Sequence, residues 1–341
     1  MSNLTTSTSG NQTLILDPNL CTLQTCDLSL ASFSYIPNLA ANALYLAIFA
    51  ILFFVQLGLG IRYQVWGFMG AMLLGLALEV IGYVGRVLVH VNPFDNNAFL
   101  IYLICVTIAP ALLTAAIYLC LARIVTVYGA HLSWIRPRTY TLIFCSCDLL
   151  SLVLQGLGGG IAATANSTSG KNLGKNIMVA GLVFQVVSLL LFAACCGEFA
   201  WRLRKNKAAR NPKLTSLVES RLFKYFLCGL GLAVLTIFIR SVFRVAELSG
   251  GFNGKLFNEE IPFMILEGPM VIIACTAVST FHPGLAFQGS WHEADFIFWT
   301  KCTIRTRKRP AVEDKPNPAL SDEESGMHTG VAEVAGLPAR K

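Results

Sequence analysis

An all-α, polytopic membrane protein with seven transmembrane helices is predicted by three observations. Of 341 residues, 55% are hydrophobic and only 13% are charged, whereas soluble domains carry about 25% charge; mean hydropathy is +0.61. Seven apolar runs of roughly 20 residues or more follow one another along the chain. Lys and Arg gather in alternate loops between those runs, the distribution expected of a chain that crosses a bilayer repeatedly.

The chain opens on a polar segment, residues 1–37, rich in Ser, Thr and Asn and without Lys or Arg. It reads as extracellular, with glycosylation acceptors at Asn3 and Asn11. Cys21 and Cys26 are the two cysteines outside the membrane on the oxidising face, so they are the candidates for a disulfide, with two free thiols as the alternative. No basic stretch followed by a short apolar run opens the chain, so the first transmembrane helix is expected to act as the targeting signal.

The transmembrane domain, residues 38–284, contains the runs Leu39–Ile61, Gly67–Val89, Phe99–Val127, Tyr140–Ala163, Ile177–Phe199, Tyr225–Val245 and Pro262–Phe281. Gly67–Val89 covers about 34 Å at 1.5 Å per residue, a little more than a hydrocarbon core. The third run is overlong and holds Pro110, which predicts a tilt or kink there. Gly67, Ala71 and Gly75 lie at small-xxx-small spacing, and QGLGGG at Gln155–Gly160 permits close backbone approach. Residues 285–309 form an interfacial and basic juxtamembrane segment with Trp291, Phe296, Phe298 and Trp299. Residues 310–341, rich in Pro, Glu, Ser and Gly, form a disordered cytoplasmic tail in which Ser321 precedes Asp-Glu-Glu and is a candidate for phosphorylation. Cys195, Cys196 and Cys302 lie where palmitoylation is conceivable.

Orientation follows from the basic residues. Seven of them lie between Trp201 and Leu222, and the loop from Ala246 to Ile261 has one, Lys255. The amino terminus is therefore expected outside and the carboxyl terminus in the cytoplasm, which puts a third acceptor, Asn166, on the outer side. The net charge of +7 is accounted for by these juxtamembrane clusters, so nucleic acid is not an expected partner.

Ionisable residues at membrane depth are the candidate functional set, because each costs on the order of 2.5–3.5 kcal/mol there. In EVIGYVGR, Glu79 and Arg86 share a helix face about 10 Å apart along the axis, too far to pair with each other. Arg86 is expected to pair with an acid at its own depth, Glu247 or Glu267. Asp148, Ser151 and Gln155 share one face of the fourth helix, the fifth contributes Gln185, the sixth Arg240, Arg244 and Glu247, and the seventh Glu267. These can be structural ion pairs locking the bundle. The size of the set favours a polar cavity for substrate binding and translocation formed by Glu79, Arg86, Asp148, Gln155, Gln185, Arg240, Arg244, Glu247 and Glu267.

The segments EVIGYVGR, APALLTAAIYLCLARIV, FCSCDLLSLVLQGLGGG, GLVFQVV, RSVFRVAELSGG and FHPG, in that order, resemble the successive signatures of the fungal lipid-translocating exporter (RTA-like) family over nearly all of Leu39 to Gly284. Met264 stands where that pattern has Tyr, and Glu267 where it often has Asp. The resemblance implies a plasma-membrane protein associated with release of sphingoid long-chain bases, resistance to amino-sterols and other toxic amphiphiles, or porphyrin uptake. The expected function is export of amphiphilic lipids such as sphingoid bases, with membrane lipids or amphiphilic small molecules as partners. A heptahelical lipid or stress sensor and a porphyrin or sterol transporter are the alternatives.

Other classes fit less well. Arg123 lacks the preceding acid of the heptahelical receptor motif, the seventh helix has no Asn-Pro pair, and it has no Lys for a retinal Schiff base. GKNLGK at Gly170–Lys175 is one residue short of a phosphate-binding loop and lacks its Ser or Thr. A hydrolase would need a nucleophile and a base, for which Asp148 with Ser151 is the one pair on offer. No enzyme activity, metal or cofactor is expected.

Overall fold

The computed structural model describes residues 6–8, 13–15, 35–128, 137–165, 167–205, 215–251, 254, 256–287 and 291. Asn3, Asn11, Asn166, Cys21, Cys26, Phe296, Phe298, Trp299, Cys302 and Ser321 lie outside the described residues. The strands among the described residues are two of three residues each, Thr6–Thr8 (β1) and Thr13–Ile15 (β2), paired antiparallel.

Seven helices are long and apolar enough to cross a membrane. They are α1 (Leu39–Tyr63), α2 (Trp66–Val91), α3 (Asn96–Tyr128), α4 (Pro137–Thr164), α5 (Thr168–Lys205), α7 (Arg221–Ser249, after a short α6, Thr215–Glu219) and a seventh span built from pieces. Those pieces are α8 (Glu260–Leu266), α9 (Gly268–Thr280) and α10 (Pro283–Ala286). Local chemistry fixes several boundaries. Asn38 caps α1 by accepting from the Ala41 amide at 3.1 Å, and Ser220 caps α7 by accepting from the Phe223 amide at 3.1 Å. Gln64 ends α1 in the left-handed conformation, φ 53°, so that α2 starts almost at once. α5 extends well beyond the apolar run at both ends, and Glu198 with Arg202 forms an i,i+4 ion pair on its last turns.

Neighbouring helices are held close where side chains are missing. A Cβ on Gly158 of α4 would lie 2.5 Å from the Met178 amide nitrogen and 2.6 Å from the Gly174 carbonyl of α5, so the two backbones touch there. Gly156 and Gly160 meet nothing within 4 Å, so only one face of QGLGGG makes this contact. On α2 the closely packed stripe is Gly75, Gly82 and Gly85 against α3, while Gly67 is exposed. The small-residue face read from Gly67, Ala71 and Gly75 is thus rotated toward the bundle interior.

Large apolar side chains such as Ile51, Phe54, Leu142, Leu149, Leu190 and Leu235 are exposed along the helices, the pattern of a lipid-facing surface. The interior contains one extended apolar cluster from Phe49 to Trp291 and a smaller one around Val89, Tyr102, Phe257 and Phe263. Trp291 is 5% exposed, covered by Phe287 in an edge-to-face contact at 5.0 Å and by the Arg123 guanidinium 3.9 Å from its ring centre. Arg123 also donates to the Trp291 carbonyl. Phe287 in turn packs edge-on against Phe223 and Phe226, so Trp291 joins an aromatic group at that end of the bundle.

Candidate functional site

The site begins with two prolines. Pro110 lies inside α3 and has no amide hydrogen, so the carbonyl of Val106 one turn earlier loses its helical donor. In lipid such a carbonyl must find another partner. Arg240 of α7 supplies it, donating to the Val106 oxygen at 2.7 Å while also binding the Glu267 carboxylate. Helix α3 runs on through Pro110 as one element, and the freed carbonyl becomes an anchor for a buried cation.

The second proline, Pro269, lies in the first turn of α9, where α8 has ended and Glu267 occupies the break. At this break the Tyr45 hydroxyl donates to the Met264 carbonyl at 2.7 Å. A Cβ on Gly268 would lie 2.6 Å from the Tyr83 hydroxyl and 2.9 Å from the Tyr45 ring, so only glycine lets both tyrosines approach. Interrupted helices within a bundle are a recurrent way of presenting polar groups at membrane depth.

Around this break the charges pair. Arg244 binds Glu247 at 2.7 Å on its own helix, donates to Thr107 of α3 at 3.2 Å, and has its Nε 4.0 Å from Glu267. Arg86 does not pair with Glu247 or Glu267, as the sequence had suggested, because those acids are taken by Arg244 and Arg240. It donates instead to Asn42 of α1 at 3.0 Å and to the Tyr35 hydroxyl at 2.9 Å, with its guanidinium 3.7 Å from the Phe263 ring centre and 4.9 Å from that of Tyr102. Burial pushes the Tyr35 phenol above its ordinary range, with the adjacent Arg86 charge pulling the other way. Asn42, Tyr35 and Tyr45 are partners that a search for charged residues passes over. Their signal in the sequence was a polar or aromatic group at the very start of an apolar run.

Glu79 stands apart. It is 1% exposed, and among the described residues no donor reaches its Oε1. The charged groups within electrostatic reach are Arg240, Glu267 and Arg244, so Glu79 belongs to this cluster rather than to a separate, deeper layer. Glu79, Arg86, Arg240, Arg244, Glu247 and Glu267 are each at most 2% exposed. Among the described residues these six side chains are packed without solvent, so this conformation is closed over its charges.

A second polar cluster lies about 10 Å further along α3, one heptad from Thr107 to Thr114. Thr114 and Tyr118 donate to the Asp148 Oδ2 at 2.9 and 3.0 Å. Gln155 donates to Gln185 across the α4–α5 contact at 3.1 Å. Asp148 Oδ1, Gln155 Oε1 and Ser188 Oγ are buried without a hydrogen-bond partner among the described residues. The antiparallel register that sets Gly158 against Met178 brings Ser188 level with Asp148, since the same step along both helices separates the two pairs. Ser188 was not singled out from sequence, because a lone serine in an apolar run carries no pattern. Ser151 donates to the Asp148 backbone carbonyl at 2.7 Å, not to its carboxylate, so the two are not arranged as nucleophile and base.

Arginines and carboxylates packed without solvent around an interrupted helix, inside a seven-helix membrane bundle, define the class: a polytopic membrane protein with a polar centre at membrane depth. The chain belongs to the RTA1-like family, whose description, "RTA1 like protein", matches residues 72–290. It is 34% identical over 282 residues to the sphingoid long-chain base transporter RSB1 of Saccharomyces cerevisiae, covering 74% of each chain. It is also 31% identical to protoporphyrin uptake protein 1 over 58% of this chain and 63% of that one, and 30% identical to protein RTM1 over 59% and 62%, both from the same species. No solved structure matches the chain.

Proposed function

We propose that this protein exports amphiphilic lipids with a cationic headgroup, sphingoid long-chain bases foremost, from the plasma membrane, and thereby protects its host from toxic amphiphiles. The observation that carries the reading is a pair of buried carboxylate oxygens without a donor among the described residues, Glu79 Oε1 and Asp148 Oδ1. Arg240 and Arg244 match Glu267 and Glu247 one to one and Arg86 donates to Asn42 and Tyr35, while no donor among the described residues reaches Glu79 Oε1 or Asp148 Oδ1. A cationic ligand supplies the missing charge at either position. A single-chain ammonium with two hydroxyls can leave its tail in lipid and offer only its headgroup to a polar route. Asp148 with Ser188, Gln155 and Gln185 presents a carboxylate beside hydroxyl and amide partners, which suits that headgroup. The similarity to a sphingoid base transporter supports the same chemistry.

The test is export of labelled sphingoid base by cells overproducing wild type, Glu79→Gln, Asp148→Asn or Arg240→Gln at equal surface expression. Wild type is expected to raise export and the two acid variants to lose it. Unchanged export in both acid variants removes the carboxylates from the mechanism. Absence of export by wild type leaves a lipid sensor as the function.

A further inference from the structure

We infer that Glu79 carries a proton in this closed conformation and exchanges it for the ammonium of the exported lipid, so that export is a proton-for-cation antiport. The inference rests on the proposed export of cationic lipids and adds the source of its driving force.

The argument is one of charge and burial. A lone carboxylate in a low-dielectric interior is too costly to persist; it must be paired, bound to a cation, or protonated. Among the described residues Glu79 makes no ion pair in this conformation: Arg240 binds Glu267 and the Val106 carbonyl, Arg244 binds Glu247 and Thr107, and the Nε atoms that both leave without an acceptor do not reach it. Glu79 Oε1 is buried and meets no donor among the described residues, and the residue as a whole is 1% exposed. The titratable and charged groups facing it from every side are few. α2 itself brings Tyr83, α3 brings Cys105, α7 brings Arg240 and Arg244, and the seventh span brings Glu267 and Cys275. α1 brings only Tyr45, set edge-on to Tyr83 with its hydroxyl held by the Met264 carbonyl. None of these uncommitted groups is a cation. In the closed state, therefore, the proton is what neutralises Glu79.

The same site gains a partner when a lipid ammonium arrives. The O–H bond of the Glu79 carboxylic acid breaks, its proton leaves toward the side of higher pH, and the carboxylate accepts hydrogen bonds from the ammonium. When the ammonium departs on the opposite side, the carboxylate takes a proton from that side and the cycle closes. One proton crosses for each monovalent ammonium in the other direction, so no net charge moves and an inward proton gradient drives outward export. The neighbouring Arg240–Glu267 pair keeps the local potential from holding either cation permanently.

Two measurements on the full chain test this. Infrared spectra of the detergent-purified protein at neutral pH, with and without isotope-labelled glutamate, should show the carbonyl stretch of a protonated glutamic acid. That band should be lost in Glu79→Gln and diminished when sphinganine is added. Glu79→Asp keeps a titratable acid and serves if the Gln variant does not fold; its band should shift but persist. In proteoliposomes containing an internal pH dye, sphinganine exit should be accompanied by proton entry in wild type and by none in Glu79→Gln. A protein with no protonated glutamic acid overturns the inference. So does sphinganine transport by wild type without proton counter-flow, and in that case the export reading stands. A protonated Glu79 in a wild type that moves no sphinganine upholds the buried acid and removes the sphingoid base as its counter-cation.

Discussion

Arg240 shows how one residue can be held by the absence of an atom elsewhere. Its guanidinium answers both the Glu267 carboxylate and the carbonyl that Pro110 strips of its donor. Arg240→Gln should lower stability by about 3–5 kcal/mol, because it strands a buried carboxylate. Adding Glu267→Gln should recover much of that loss. Adding Pro110→Ala should recover a different part, about 1–3 kcal/mol, since the new amide hydrogen can return to the Val106 carbonyl. Thermal unfolding in detergent across these variants measures both couplings, and strict additivity of the Pro110 and Arg240 effects would refute the carbonyl argument. Arg86 obeys a different logic. Its coupling with Asn42, read from a double-mutant cycle, should be about 0.5–3 kcal/mol, while its coupling with Glu267 should be near zero. Arg86→Lys should not substitute, because an ammonium cannot lie flat on the Phe263 ring while reaching Asn42 and Tyr35.

At the scale of helices, glycine position rather than glycine number decides packing. Gly158→Ala should cost folded protein heavily, since its Cβ would press on the Met178 amide and the Gly174 carbonyl, neither of which can swing aside. Gly156→Ala and Gly160→Ala, two residues to either side, face open space and should be neutral or slightly stabilising, because alanine holds a helix better. Expression and melting temperature of the three variants, compared side by side, check the contrast. This is also where sequence reading stops. The apolar runs placed all seven spans, because a bilayer demands length and composition that a linear sequence displays openly. They began α5 too late and ended it too early, since a helix that continues past its apolar stretch carries Lys171 and Arg202 and no longer looks apolar. They also read Pro262–Phe281 as one helix, although Gly268–Pro269 marks the break at which Glu267 stands. The list of buried polar residues, seven ionisable side chains with Gln155 and Gln185, was legible, and all nine are buried here. Their pairing was not, because it depends on how each helix is rotated about its axis, and that is fixed by contacts between helices such as Gly85 of α2 on Tyr102 of α3.

For the whole molecule, the two ends of the bundle differ in a way that should set its direction in the membrane. At the end where α1 begins, the residues just before it are stitched down: Asn38 donates its amide to Glu260, His90 meets the Pro37 carbonyl at 2.7 Å, and Tyr35 reaches Arg86. Among the described residues the arginines of that end are buried, Arg240 and Arg244 in ion pairs and Arg86 on Asn42 and Tyr35. At the other end lie Arg62, Arg202, Arg204, Lys205 and Arg221, and Arg123 clamped on Trp291. Translocation of unpaired Lys and Arg in short loops is disfavoured, so the second end should stay in the cytoplasm. An epitope tag on the amino terminus should then be accessible on intact cells, and one after Lys341 only after permeabilisation. The odd number of spans makes the outcome sharp. Seven crossings require the two tags on opposite faces, so both on one face would mean that a span does not cross, and the broken seventh would be the first to suspect. Tags on opposite faces but reversed would keep the fold and overturn the export direction, because the Arg240–Glu267 cluster would then face the cytoplasm.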